Sequence, residues 1–322
     1  MSRPRIYISR MIPERPLTLL REHCDVHIWQ EDTPPPAEEI SAQVQQADAF
    51  LSMLTEKVDR ALIESAPSLK VICNYAVGYD NIDIAAATER GIPVGNTPGV
   101  LTEATADQAF TLLLAAARRL PEAIAYVQNG EWKTWNPIQL LGQELHGSTL
   151  GIIGLGRIGC AMARRAKGFG MRILYHGGGG CAEEVGAEAT SLENLLRESD
   201  FISLHTPLTD KTRGLFGAEQ FAMMKRSAIL VNTARGGIIQ TDALLQALQT
   251  RQIAFAALDV TDPEPLPADH PLLDLPNCIV APHLGSATHA TRTRMGEMVA
   301  DDLLRGLRGE RLEHCVNPEV YT

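Results

Sequence analysis

Three glycines and three charged or ionisable side chains mark where this sequence could do chemistry. Gly154, Gly156 and Gly159 stand in "LGIIGLGRIG" as G-x-G-x-x-G. The run follows an apolar stretch at 150–153 and opens a helical one at 158–169, the context that a dinucleotide-binding turn requires. Gly154 permits a tight turn, Gly156 keeps a side chain out of the path of a pyrophosphate, and Gly159 lets helix and strand approach. The helix N-terminus, beginning around Arg157 and Ile158, offers N–H groups and a positive dipole end to phosphate, and Arg157 adds a charge-assisted contact. Farther along, "NTARGG", "DVTDPEP" and "PHLGSAT" each follow an apolar run and supply Arg235, Glu264 and His283. That trio suits hydride transfer to a 2-keto acid. The planar fork of arginine matches a carboxylate. A histidine protonates the keto oxygen as negative charge builds on it. A neighbouring glutamate favours the imidazolium and orients the ring. His205, in "HTPLT" after a further apolar run, is expected to be a hydrogen-bonded supporting residue. No serine or cysteine sits on a G-x-S-x-G elbow, which excludes that route to acyl transfer.

Such residues need strand ends to hold them. Short apolar runs at 6–9, 26–29, 49–53 and 71–74 form one series, and runs at 149–153, 173–175, 201–204, 228–231, 254–258 and 278–281 form a second. Helical stretches lie between them, for example at 61–64, 158–169, 192–198 and 242–249. Strand alternating with helix predicts right-handed crossovers and parallel sheets covered on both faces. So many strands exceed a usual single sheet, so two α/β domains are expected. Pro98 and Gly99 break the pattern at "NTPGV". Thr102 is then placed as the N-cap of a helix that Pro121 ends, and a last helix runs from Thr288 to about residue 306.

Composition narrows the class. The 322 residues carry 29 Lys and Arg against 39 Asp and Glu, a formal charge of −10, and 45% are hydrophobic. An acidic balance argues against nucleic acid and against anionic membrane surfaces as partners. The six cysteines (Cys24, Cys73, Cys160, Cys181, Cys278, Cys315) form no C-x-x-C. They are expected to be small core residues, with no disulfide framework and no metal site. The opening "MSRPRIYISR" has no apolar leader and the run at 109–117 is too short to span a bilayer, so a soluble cytoplasmic protein is expected.

In order along the chain, "GIIGLGRIG", "VNTARGG", "ALDVTDPEP" and "APHLGSAT" resemble the D-isomer-specific 2-hydroxyacid dehydrogenases. The stretch "NYAVGYDNIDIAAATERGIPVGNTPGVLTEATAD" resembles most closely the glyoxylate and hydroxypyruvate reductase branch, with 2-ketogluconate reductases as near neighbours. The resemblance implies a Rossmann-type nucleotide domain at 99–287 inserted into a flavodoxin-like substrate domain made of 1–98 and 288–322, and a homodimer built largely from the nucleotide domain. It implies that Arg235 holds the substrate carboxylate and carbonyl, that His283 is the acid and that Glu264 is its partner. Val77 and Gly78 would bind the carboxylate through their amides, and Leu54 would face the substrate. Thr105, Thr206, Pro207, Thr212, Thr233, Ala234, Asp259 and Gly285 would join the glycine turn and His283 around the cofactor. Trp132 and Trp135 are assigned to core or interface packing. A 2-ketogluconate reductase, another dehydrogenase of this family, and a non-catalytic NAD(H)-sensing regulator remain as alternatives.

One segment departs from the branch. The strand after the glycine turn ends in "RILYHGGGG", where an acid for a ribose hydroxyl or an arginine for a 2′-phosphate is usual. NAD(P)H is therefore the expected cofactor, leaning to NADPH because no acid repels the phosphate. His176 or a glycine-rich anion-binding loop would be the contact, and a mobile, undiscriminating loop is the alternative.

Overall fold

The computed structural model describes residues 3–322. In chain order the elements begin with β1 (Arg5–Ile8), α1 (Glu14–His23), β2 (Asp25–Ile28), α2 (Ala37–Val44), β3 (Ala49–Ser52) and α3 (Arg60–Glu64). They continue with β4 (Val71–Asn74), α4 (Ile84–Glu89), β5 (Val94–Gly95), α5 (Thr102–Ala117) and α6 (Leu120–Gln128). Next come β6 (Thr149–Leu155), α7 (Arg157–Gly168), β7 (Arg172–Gly178), α8 (Ala182–Val185), β8 (Glu188–Ala189) and α9 (Leu192–Glu198). The chain closes with β9 (Phe201–Leu204), α10 (Ala218–Met223), β10 (Ile229–Asn232), α11 (Thr241–Gln249), β11 (Phe255–Leu258), β12 (Cys278–Val280) and α12 (His289–Leu307).

Two units divide the chain, one made of residues 1–101 and 287–322 and the other of residues 102–286. Each is built on a wholly parallel sheet, so the structure is α/β throughout. The five-stranded sheet has the order β2-β1-β3-β4-β5, the flavodoxin-like order. The seven-stranded sheet has the order β12-β11-β10-β9-β6-β7-β8. Its direction reverses between β6 and β9, and that switch point is where open α/β sheets bind ligands.

Burial on both faces explains why the strands read as continuous apolar runs rather than alternating ones. On one face of the larger sheet Leu113, Met162 and Ala163 pack against Phe201 and Val231. On the other, Leu195, Phe221 and Leu248 cover Ile202 and Leu230. Side-chain caps start several helices at acids and hydroxyls: Asp59 accepts from Leu62 N, Asp83 from Ala86 N, Ser191 from Asn194 N and Thr288 from Thr291 N. The last helix returns to the smaller unit. Its buried Asp302 accepts from Glu313 N at 2.7 Å and from the His314 ring at 3.1 Å, which ties down the C-terminal segment.

Three expectations are corrected. Thr102 is the first helical residue of α5 rather than its cap, and Pro121 does not end that helix. The break comes earlier, at Arg119, whose φ is +51°, and Pro121 sits in the first turn of α6, where its missing N–H costs nothing. Finally, Cys160 and Cys181 are joined by a disulfide with their Cα atoms 5.9 Å apart. Nothing in a 21-residue separation announces that a helix and a distant loop will meet. Cys24 and Cys73 are buried free thiols, and Cys278 and Cys315 are half-buried ones.

Candidate active site

The glycine turn lies at the switch point. Gly154, the last residue but one of β6, has φ +93°, and a Cβ there would lie 2.7 Å from the carbonyl oxygen of His205, beyond β9. The two central strands are thus in contact through bare backbone. A Cβ on Gly159 would lie 2.3 Å from Gly154 O, so α7 packs directly on the turn. At Gly156 the direction of a Cβ is open space. The N–H groups of Arg157, Ile158 and Gly159 open α7, where no carbonyl lies one helical turn earlier to receive them. Together these features leave room and donors for a pyrophosphate. A second observation points the same way. Thr233 Oγ1, beyond β10, is buried yet lacks a hydrogen-bond partner among the described residues. A buried hydroxyl left unpaired is costly unless a ligand completes it. The residues present therefore fit a nicotinamide dinucleotide. Thr206 and Pro207 follow β9, and Thr212 Oγ1 donates to Pro207 O at 2.6 Å, holding that loop closed.

Arg235, Glu264 and His283 all lie past the carboxyl ends of neighbouring strands β10, β11 and β12. The His283 Nδ1 edge is 2.6 Å from Glu264 Oε1, leaving Nε2 on the far side of the ring. Both side chains keep partial access to solvent, at 26% and 30% exposure, so a small substrate can reach them. Burial alone would push the Glu264 carboxyl up. The His283 hydrogen bond and charge, the Thr261 N–H and the Arg235 charge together hold it below the ordinary carboxylate value. The Arg235 turn is folded by Asn232, whose side chain receives Ala234 N and donates to Arg235 O at 2.9 Å. Gly236 must be small: a Cβ there would lie 1.9 Å from Thr261 O, on the loop that carries Glu264.

The His283 backbone is left-handed, with φ +54°, an unfavourable conformation for a side chain that is not glycine. Asp259 over-determines it. This buried residue accepts His283 N on its carbonyl at 2.9 Å, Leu284 N on Oδ1 and Gly285 N on Oδ2, each at 2.8 Å. Gln108 of α5 also donates to Oδ1 at 3.2 Å, and Thr105 lies beside Gly285. His205 faces Ser203 Oγ at 2.8 Å, and desolvation pushes its pKa down to about 4, so it stays neutral near pH 7 as a supporting residue.

His176 lies within an unexpectedly long strand that ends at Gly178. Pairing continues from Ile153 with His176 to Leu155 with Gly178, so the first glycines belong to β7 and are not a loose loop. The His176 ring meets the carbonyl of Thr190 at 3.1 Å.

In the smaller unit Leu54, Val77 and Gly78 occupy loops after β3 and β4. Asn74 donates to Gly78 O at 2.7 Å and to Asn81 Oδ1 at 3.0 Å, and Asn81 donates to Met53 O and Glu56 O at 2.9 Å. Asn96 donates to Val77 O at 2.8 Å. A trans peptide sets N–H opposite C=O, so fixing Val77 O also aims the Gly78 N–H. Buried Glu56 receives Met53 N and Ser9 Oγ and pairs with Arg10 at 3.2 Å. Asn74, Asn81 and Glu56 were not singled out from the sequence. The only available sign was the asparagine pair in "NYAVGYDNID".

Comparison with known proteins agrees with this geometry. Residues 110–285 match the family model of the D-isomer specific 2-hydroxyacid dehydrogenase NAD binding domain. The chain is 52% identical to the glyoxylate reductase of Korarchaeum cryptofilum (strain OPF8), over 99% of this chain and 97% of that one. A crystal structure of a Thermus thermophilus protein superposes with a TM-score of 0.92 at 46% identity, over 97% of this chain and 99% of that one. The NADPH-dependent glyoxylate/hydroxypyruvate reductase of Sinorhizobium meliloti, in complex with NADP and malonate, gives 0.84 at 32% identity, over 99% and 98%. Strand ends, glycine turn and relatives agree: the chain belongs to the D-isomer-specific 2-hydroxyacid dehydrogenase family.

Proposed function

We propose that this chain reduces glyoxylate to its 2-hydroxy acid, with hydroxypyruvate as a second substrate giving the D-isomer. The contact between His283 and Glu264, beside Arg235 at adjoining strand ends, carries this reading. Arg235 takes the substrate carboxylate and steadies the carbonyl through its planar fork. His283 Nε2 gives its proton to the keto oxygen as that oxygen gains charge. Glu264 keeps the ring oriented through Nδ1 and balances the imidazolium. Leu54 and the amides of Val77 and Gly78 are assigned to the substrate as well. When bound, the nicotinamide cofactor supplies the hydride. The glycine turn with Arg157 and Ile158 holds its pyrophosphate. Thr105, Thr206, Pro207, Thr212, Thr233, Ala234, Asp259 and Gly285 hold the remainder. The relatives' names favour this reading over a 2-ketogluconate reductase and over a non-catalytic sensor of NAD(H).

NADPH is the proposed preference, because residues 176–180 offer no carboxylate to repel a 2′-phosphate. A related reductase is described as NADPH-dependent. Initial rates with glyoxylate, hydroxypyruvate and 2-ketogluconate, each with NADPH and NADH, test both points. The expected order is glyoxylate first and NADPH over NADH in kcat/KM. Inactivity across all six pairs overturns the enzyme reading.

A cytoplasmic homodimer completes the proposal: the cytoplasm supplies reduced nicotinamide cofactors, and the larger unit presents an apolar segment in need of cover. Leu120, Ile124, Val127, Trp132, Trp135 and Ile138 are all exposed, Trp135 to 79% and Ile138 to 76%. Large apolar surfaces of this kind mark interfaces. Light scattering should give twice the 35.1 kDa chain mass, and a single-chain mass rejects the dimer.

A further inference from the structure

The one covalent cross-link in the described residues sits where this chain departs from its family's pattern. Cys160 follows Gly159 in the first turn of α7, and Cys181 follows the glycine run. Between them the run is pinned to the glycine turn itself. Gly179 N donates to Leu155 O at 3.1 Å, and a Cβ on Gly178, whose φ is +79°, would lie 2.8 Å from the same oxygen. The run is therefore held at two points, by backbone at Leu155 and by sulfur at Cys160. Glycine loses more freedom on ordering than any other residue. A run of four has no side chains to hold it, so a tether matters more here than in an ordinary loop. The place is also specific: the end of the strand after the glycine turn is where a dinucleotide's adenosine ribose lies. With no acid or arginine at 176–180, the shape of that subsite is set by backbone.

We propose that the Cys160–Cys181 bond is a redox-sensitive tether that positions the glycine run for the adenosine end of the cofactor, and that its reduction weakens cofactor binding without disturbing the catalytic cluster. This inference rests on the reading that the glycine turn holds a nicotinamide cofactor. The chemistry needs a dithiol. One thiolate of the dithiol attacks a sulfur of the pair and forms a mixed disulfide, and its second thiol then displaces the protein. Two electrons and two protons pass to Cys160 and Cys181, and the dithiol leaves as a cyclic disulfide. Other cysteines do not compete: burial raises the Cys73 thiol, and it raises Cys278 to about 12.

The test uses the full chain, free of cofactor. Alkylation in denaturant without reductant should label the four free cysteines, and labelling of all six overturns the proposal. Dissociation constants for NADPH and NADH are then measured by fluorescence titration. Proteins compared are the oxidised wild type, wild type reduced by dithiothreitol until six thiols label, and C160A/C181A. Ordering costs of this kind predict binding about threefold to tenfold weaker in the last two. Reoxidation of the wild type should restore affinity, and dithiothreitol should not alter C160A/C181A. At saturating cofactor, kcat and the glyoxylate KM should stay at wild-type values. A purely structural cross-link would not give reversible weakening confined to the cofactor. Affinity unchanged within about twofold on full reduction overturns the tether. Should C160A/C181A fail to fold, the reduction and reoxidation series decides alone. Failure of oxidised wild type to bind either cofactor overturns instead the cofactor reading on which the tether rests.

Discussion

His283→Gln is expected to lower kcat for glyoxylate reduction by about 10²–10⁴-fold, the usual worth of a positioned general acid. Glutamine can still donate a hydrogen bond, but it cannot give up a proton. The loss should fall mainly on kcat and only slightly on cofactor affinity, because the glycine turn and Thr233 lie on other strands. A His283→Gln enzyme that keeps its kcat removes histidine from the reaction. Reduction consumes a proton, which His283 delivers to the keto oxygen. Glu264 sets the acid side of the pH profile. Burial works to raise its pKa but is outweighed by His283, Thr261 N and Arg235, so its native-state value is depressed. Its stabilising contribution is therefore present above the ordinary carboxylate value and is lost as pH falls through the lowered native value. The acid limb should lie below the usual carboxylate range. Glu264→Gln keeps a hydrogen-bonding group but removes the titrating carboxylate, so that acid limb should vanish from its profile. An unchanged acid limb would assign it to a group other than Glu264.

Apolar patterning made the fold legible, because parallel strands buried on both faces carry unbroken runs. The glycine turn was legible for a different reason: backbone contacts as close as Gly159 to Gly154 admit no other residue. What stayed hidden depends on tertiary proximity. The two-residue strands β5 and β8 have no pattern of their own and exist only as partners of β4 and β7. Tyr175 looked like the end of its strand because glycine is a poor strand former, yet Leu155 supplies a pairing that carries the strand to Gly178. The Arg119 break follows from a left-handed residue in a sequence otherwise suited to helix. Asp259 could be marked as a residue after a strand, but its grip on the backbone from His283 to Gly285 spans a loop of more than twenty residues. The disulfide is hidden in the same way.

Arg235→Lys should lower kcat/KM for glyoxylate by about tenfold to a hundredfold, the worth of one charge-assisted hydrogen bond. Lysine keeps the charge but is a point donor, and it cannot span two carboxylate oxygens from one plane. Arg235→Gln loses both charged contacts and should cost about 10²–10⁴-fold. Most of the lysine effect should appear in KM, since the carboxylate is present in substrate and transition state alike. Glutamine should reduce kcat as well, because the same guanidinium faces the oxygen that gains charge. A second consequence separates this role from simple loss of structure. The Arg235 charge is one of the influences holding Glu264 below its ordinary value. Removing it lets the Glu264 pKa rise, so the acid limb of Arg235→Gln should lie at higher pH than that of Arg235→Lys. Coincident acid limbs, with both variants folded, would show that Arg235 serves the substrate without tuning the carboxylate that supports His283.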